Sequence, residues 1–357
     1  MTDSVNVTVT TATVMSNHSL TQLGGHPVLM GAYGLVFLLS VVLNGFALWV
    51  YFCQARLHTG VTVYLQNLAA ADFFLSLSLP LRIANYATDS TTLRQAYCSF
   101  GAAAFYLNMY VSILFMEYIA ANRYLKIVRP MENHRIQTVR AARYIALGTW
   151  ASLLTLAVVY MCLALQTSSK GESSQTPYKN DSIAKSKRCE MLHSQNLNIF
   201  YKVLHTTSAV IFVFVLVSLC YFYFQTTKRL RQAQQAASRK LAKCKRNMLV
   251  LVSVFCVCFV PYHLVRLPYM FIQSQVTSQG GRQVLYSLKE VTVLLSVLNA
   301  CLDPFIYFIF CKEFRARLGL RTSAAQGQGV AKGQGGPNHP DSETRNSLSS
   351  RRDMSVI

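Results

Sequence analysis

Seven long apolar runs constrain this chain more than any other feature of its sequence. They are Val28–Phe52, Val63–Tyr86, Ala96–Leu125, Ala141–Leu165, Ile199–Gln225, Met248–Ile272 and Val284–Phe310. Crossing a hydrocarbon layer of about 30 Å takes roughly 20 apolar residues in a helix. In lipid only a helix or a closed barrel satisfies its own backbone groups, so each run predicts one spanning helix. The alternative is that some runs are buried helices of a large soluble protein. Charged residues make up only 13% of the chain, against about 25% in a soluble domain. Seven buried helices would therefore leave too little polar surface. The predicted architecture is all-α: a seven-helix membrane bundle over 28–310, preceded by a polar segment at 1–27. That polar segment has no Lys or Arg, so it is not a cleavable leader.

The formal net charge of +20 suggests nucleic acid until its location is read. Arg and Lys cluster at or just beyond the ends of the third, fifth and seventh runs: Arg123, Lys126 and Arg129; Lys228, Arg229 and Arg231; Lys312, Arg315 and Arg317. Basic residues gather on the cytoplasmic face, so these ends point inward and the N-terminus points outward. Three glycosylation acceptors, at Asn6, Asn17 and Asn180, all fall on the predicted outer face. The loop between the fourth and fifth runs is basic despite lying outside, which suits attraction of an anionic ligand. Phe314, Leu318 and Leu320 among basic residues predict a short amphipathic helix on the inner membrane surface at 311–321. Residues 322–357 are rich in Gly, Gln, Ser and Asn and predict a disordered cytoplasmic tail.

Asp72 and Asp303 are ionisable residues inside apolar runs, which makes each a candidate for function. The alternative is that each only hydrogen-bonds neighbouring helices. Pro261 and Pro304 each remove a backbone hydrogen bond and predict kinks in the sixth and seventh helices. Such kinks either let one helix end swing or merely curve packed helices. The paired halves of a transporter are not visible, and no nucleophile stands with a base as an intramembrane enzyme needs.

Further motifs occur in order along the runs: Asn44-Gly45; Asn67-Leu68-Ala69-Ala70-Ala71-Asp72; Cys98 and then Asn122-Arg123-Tyr124; Trp150; Cys258-Phe259-Val260-Pro261; and Asn299 followed by Asp303-Pro304-Phe305-Ile306-Tyr307. With seven runs, this set resembles the rhodopsin-like class of G-protein-coupled receptors over about residues 28–320. The resemblance implies that Arg123, Tyr124, Tyr221, Pro261 and Tyr307 form the coupling and switch set for a heterotrimeric G protein. It implies a disulfide between Cys98 and Cys189, and a sodium pocket of Asp72, Ser112, Asn299 and Asp303. Asn122 departs from the pattern, which has an acid there. An amide cannot pair charges with Arg123, so a weak resting lock and raised basal signalling are expected.

Within that class, Cys258–Tyr269, Lys289-Glu290 and Phe105–Tyr110 resemble the purinergic branch of ADP and UDP-sugar receptors and related orphans. The implied ligand set is Tyr106, Tyr110, His263, Arg266 and Lys289, holding an anionic, nucleotide-like ligand. Arg supplies a planar fork and Lys a compact charge for such a group. The alternative is that Arg266 and Lys289 snorkel to lipid headgroups. Nucleotide receptors of the branch tie their N-terminus to the third outer loop by a second disulfide, and no Cys precedes Cys53 here. A lysophospholipid or a small carboxylate therefore stays open beside a nucleotide. The resemblance implies the inhibitory G-protein class. The tail offers Ser and Thr for phosphorylation and arrestin binding, and its end, Ser355-Val356-Ile357, fits a PDZ-domain ligand. Neither a catalytic role nor a nucleic-acid partner is expected.

Overall fold

The structure, a computed structural model, describes residues 3–53, 59–88, 90–129, 135–171, 195–232, 235–272, 276 and 278–310. At 3–26, 135, 167–171, 230, 235–244 and 279 only the backbone is described. The described residues form helices and connecting turns without a strand: α1 (Asp3–Cys53), α2 (Gly60–Ala87), α3 (Thr91–Ala96), α4 (Ala102–Val128), α5 (Val139–Gly171), α6 (Gln195–Gln232), α7 (Gln235–Ile272), α8 (Gln279–Val297) and α9 (Asn299–Phe310).

Seven stretches are long and apolar enough to cross a membrane: Pro27–Cys53, Gly60–Ala87, Thr91–Val128, Val139–Gln166, Gln195–Arg229, Lys245–Ile272 and Gly280–Phe310. Each contains one of the seven runs read from the sequence. The polar segment at 1–27 is mostly helical, because α1 begins at Asp3 and meets no proline before Pro27. The surface helix expected at 311–321 and the tail at 322–357 lie outside the described residues.

The first span packs on the second, the fifth on the sixth, the sixth on the seventh, and the seventh back on the first. The third span is the most buried of the seven and contacts the second, fourth and fifth most closely. The core runs through Leu68, Leu75, Ile113, Phe115, Leu219, Phe255 and Ile306. The outward face is as apolar as the core: Val42, Phe74, Leu147, Phe214, Val257 and Leu264 are all exposed. That pattern suits lipid as the surrounding solvent.

Two local breaks position the functional groups. The third span starts at an N-cap, Ser90, whose hydroxyl accepts from Leu93 N–H at 3.3 Å. It then widens into one π turn over Tyr97–Gly101. A side chain at Gly101 would stand 2.7 Å from the Tyr97 ring, so glycine is what lets that ring lie against the helix. In the widened turn the Cys98 carbonyl accepts from the Tyr160 hydroxyl of the fourth span at 3.1 Å. The seventh span breaks between α8 and α9. Pro304 has no N–H, so the Ala300 carbonyl loses its helical donor. The Asn44 amide of the first span supplies one instead, at 2.8 Å.

Candidate functional site

At the Cys98 end of the bundle lies a cavity walled by tyrosines and charged side chains. The second, third, fifth, sixth and seventh spans place Arg82, Tyr97, Tyr106, Tyr201, Arg266, Tyr286, Lys289 and Glu290 on its wall. Among the described lining residues three cations face one carboxylate. Glu290 is ion-paired to Arg82 at 2.9 Å and to Lys289 at 3.0 Å. It also accepts a short hydrogen bond from the Tyr86 hydroxyl. All three charged groups are at least nine-tenths buried. Burial at this level is tolerated because each charge is paired and hydrogen-bonded.

Arg266 is tied differently. Its Nη2 donates to the Tyr106 hydroxyl at 3.0 Å, and that hydroxyl lies 3.3 Å from the hydroxyl of Tyr201. Aromatic faces hold the cations from the sides. Arg82 lies 4.6 Å from the Tyr33 ring centre, Lys289 lies 4.6 Å from that of Tyr286, and Arg266 lies 5.3 Å from that of Tyr201. Such contacts hold a cation by the face of a ring. Among the described lining residues the tyrosine-walled cavity is net positive, which suits an anionic group. The snorkelling alternative does not describe Arg266 and Lys289, because both are buried on the cavity wall.

Of the five residues expected to bind ligand, Tyr106, Arg266 and Lys289 line this cavity. Tyr110 lies elsewhere, on a second cavity between the third, fourth and fifth spans. His263 lines neither: its ring stacks on Phe212 at 3.8 Å, and its Nδ1 bonds the Phe259 carbonyl at 2.9 Å. Sequence reasoning assigned no role to Arg82, Tyr86 or Glu290. The available signal was Arg82 itself, an ionisable residue inside the second apolar run.

Deeper in the bundle Asp72, Ser112, Asn299 and Asp303 are all buried. The Tyr307 hydroxyl donates to Asp72 Oδ2 at 2.9 Å, and Ser112 Oγ lies 3.5 Å from Asp72 Oδ1. Asn299 Nδ2 donates to Asp303 Oδ2 at 3.1 Å. Asn299 Oδ1 and Asp303 Oδ1 have no hydrogen-bond partner. The structure thus brings all four expected residues, with Tyr307, into one polar core.

At the other end Arg123 Nη2 lies 3.5 Å from the Phe310 carbonyl, and its guanidinium sits 4.7 Å from the Phe310 ring centre. Asn122 is fully buried, and neither of its amide atoms has a hydrogen-bond partner. Tyr124 stacks on Phe222 at 4.8 Å, with Tyr221 at 5.9 Å. Tyr221 is 48% exposed and Tyr307 is fully buried, so the two tyrosines point to different surroundings. Pro261 lies inside α7. Glu117, an acid of the third span without an expected role, accepts from Ser218 Oγ of the fifth at 2.7 Å. Cys98 is not among the free thiols of the described residues, whereas Cys53, Cys162, Cys220, Cys256, Cys258 and Cys301 are. Cys189 and Asn180 lie outside the described residues, as do the side chains of Asn6 and Asn17.

Seven spans, a polar core under a cationic cavity and an Arg at the opposite end define a seven-helix membrane receptor. The chain matches the 7 transmembrane receptor (rhodopsin family) over residues 43–307, and it belongs to that family. It is 33% identical to purinoceptor 14 of Bos taurus over 79% of this chain and 82% of the relative. It is 32% identical to lysophosphatidic acid receptor 5 of Bos taurus over 83% of this chain and 79% of the relative. It is 31% identical to G-protein coupled receptor 87 of Mus musculus over 80% and 77%. The chain is therefore a multi-pass plasma-membrane G-protein-coupled receptor of the rhodopsin family, and not an enzyme.

Proposed function

We propose that this receptor binds an extracellular anionic ligand, nucleotide-like in its phosphate-bearing part, and passes that binding to a heterotrimeric G protein of the inhibitory class. The observation that carries the reading is the cavity in which Arg82, Arg266 and Lys289 face the carboxylate of Glu290. Phosphate oxygens can replace Glu290 as partners of Arg82 and Lys289, while Arg266 offers a planar fork from the facing wall. The tyrosine rings suit a base or a sugar face. The similarity to a purinoceptor supports this ligand class. A lysophospholipid is the second reading, favoured by the apolar cavity that adjoins the cationic one and by the similarity to a lysophosphatidic acid receptor.

In this reading the N-terminus lies outside with Asn6, Asn17 and Asn180 glycosylated, Cys98 is paired with Cys189, and the C-terminus lies inside. Asp72, Ser112, Asn299 and Asp303 would hold a sodium ion. The two unpartnered oxygens, Asn299 Oδ1 and Asp303 Oδ1, fit a hard cation that offsets two buried carboxylates. Arg123, Tyr124, Tyr221, Pro261 and Tyr307 carry the switch, with the sixth helix swinging about its proline. Arrestin and a PDZ-domain protein are the proposed partners of the tail. The test is a panel of nucleotides, nucleotide sugars, lysophospholipids and small carboxylates on cells expressing the chain, read as inhibition of cyclic AMP production. Arg266→Ala removes a charged hydrogen-bond donor worth about 1.5–3 kcal/mol, so potency of the active anion should fall roughly tenfold to a hundredfold. Unchanged potency would refute the cavity as the ligand site.

A further inference from the structure

Glu117 of the third span lines neither cavity and is not part of the polar core around Asp72. Among the described residues no cation pairs with it; the ion pairs there belong to Glu290. Its polar partner is Ser218 of the fifth span, whose Oγ lies 2.7 Å from Glu117 Oε1. Glu117 Oε2 is buried with no hydrogen-bond partner. Near Ser218 the fifth span turns Phe214, Val217 and Tyr221 outward, so the pair sits at the lipid-facing edge of a helix seam. A carboxylate without a cation is costly in such surroundings.

Counting protons resolves the contact. Ser218 Oγ also lies 2.9 Å from the Val215 carbonyl, one turn back. A hydroxyl has one proton and donates to one of these two oxygens. Donated to Glu117, it leaves Oε2 as a bare, charged oxygen. Donated to Val215, it frees the serine oxygen to accept from a carboxylic acid O–H on Glu117. Each proton then has an acceptor, and Oε2 is an uncharged carbonyl oxygen, which tolerates the lack of a partner better than a charged one does.

The seam is tied again nearer the coupling end. Arg229 Nη2 lies 3.4 Å from the Val128 carbonyl, and both ties join residues 101 positions apart, so the two helices run in step. Between the ties Tyr124 packs on Phe222 and Tyr221. Arg229 is exposed, whereas Glu117 and Ser218 are half-buried, so the acid–serine tie is the one better shielded from competing donors. The fifth span packs on the sixth, so a swing of the sixth pulls on this seam.

We propose that Glu117 is held as a neutral acid whose O–H donates to Ser218, and that this bond is a clasp between the third and fifth spans that restrains ligand-free coupling. The clasp rests on the proposed swing of the sixth helix and not on the identity of the ligand. It gives a restraint to a receptor whose Asn122 cannot pair charges with Arg123.

The experiment uses the full chain in lipid discs. It measures ligand-free guanine-nucleotide exchange on an inhibitory-class heterotrimer, the melting temperature, and the infrared carbonyl stretch of neutral carboxylic acids. Wild type is compared with Glu117→Gln, Glu117→Ala, Ser218→Ala and the variant carrying both alanines. An amide keeps a donor toward Ser218, so Glu117→Gln should match wild type in exchange and melting while removing one neutral-acid band. Glu117→Ala and Ser218→Ala should each raise exchange roughly threefold to tenfold, the reach of one buried hydrogen bond, and the double variant should exceed neither. Ser218→Ala removes a single oxygen and decides the matter should Glu117→Ala fail to fold. Exchange raised as much by Glu117→Gln as by Glu117→Ala, or a neutral-acid spectrum that Glu117→Gln leaves unchanged, would overturn the neutral acid. Unchanged exchange in Ser218→Ala would overturn the clasp. A wild type that stays silent with every member of the ligand panel would instead refute the proposed coupling, and the infrared band would still decide where the proton lies.

Discussion

Asn122 and Arg123 show how one side chain sets a resting state. Asn122 stands where the family pattern has an acid, and Arg123 lies against the carbonyl and ring of Phe310, at the end of the seventh span. Asn122 stays buried with both amide atoms unpartnered, a costly arrangement. Asn122→Asp places a carboxylate beside Arg123, and it should lower ligand-free nucleotide exchange on the G protein. Unchanged or higher basal exchange would contradict this. Phe310→Ala should act in the opposite sense, because it removes the ring that holds the guanidinium. Glu290 is a second residue whose replacement separates two effects. Glu290→Gln leaves Arg82 and Lys289 without their carboxylate, and breaking a buried pair costs about 3–5 kcal/mol. The melting temperature of the ligand-free receptor should fall. Its affinity for a phosphate ligand should rise, since the competing carboxylate is gone. A fall in both would show that Glu290 orients the cations rather than competing for them.

At the scale of the helix, the seven spans were legible because lipid demands long apolar runs and little else of comparable length produces them. Breaks within spans were less so. Pro304 announces a lost hydrogen bond, but its compensation by Asn44 joins residues 256 positions apart, which no local pattern encodes. Asn44→Ala should leave the Ala300 carbonyl unsatisfied and destabilise the protein by about 1–3 kcal/mol, measurable as a lower melting temperature. The π turn at Tyr97–Gly101 had no sequence signature beyond a glycine. Of the expected ligand residues, those nearer the helix ends line the cationic cavity and the deeper ones do not. Tyr110 is one turn, about 6 Å, below Tyr106 on the third span. That distance carries it from the cationic cavity to the apolar one. His263, one turn below Arg266, likewise falls into the aromatic packing around Phe212. Arg82 and Glu290 pair across 208 positions, so their partnership appears only once the second and seventh spans are packed.

For the whole molecule, three levels stand in series along the bundle: a net-positive cavity at the Cys98 end, a buried core of paired carboxylates, and Arg123 against the end of the seventh span. The seventh span belongs to all three, through Lys289 and Glu290, through Asn299, Asp303 and Tyr307, and through Phe310. Its break at Leu298 falls between the first level and the second. If the proposed ligand shifts Lys289 and Glu290, that shift has a mechanical route to Arg123 through one helix already interrupted. The most direct test is guanine-nucleotide exchange on a purified inhibitory-class heterotrimer, catalysed by the chain reconstituted in lipid discs. It should be measured across concentrations of 1-oleoyl lysophosphatidate and of UDP-glucose, for wild type and Arg266→Ala. Acceleration by at least one of these anions, shifted tenfold or more to higher concentration by Arg266→Ala, is the expected result. Exchange that ignores both anions, or a response that Arg266→Ala leaves in place, would contradict the account.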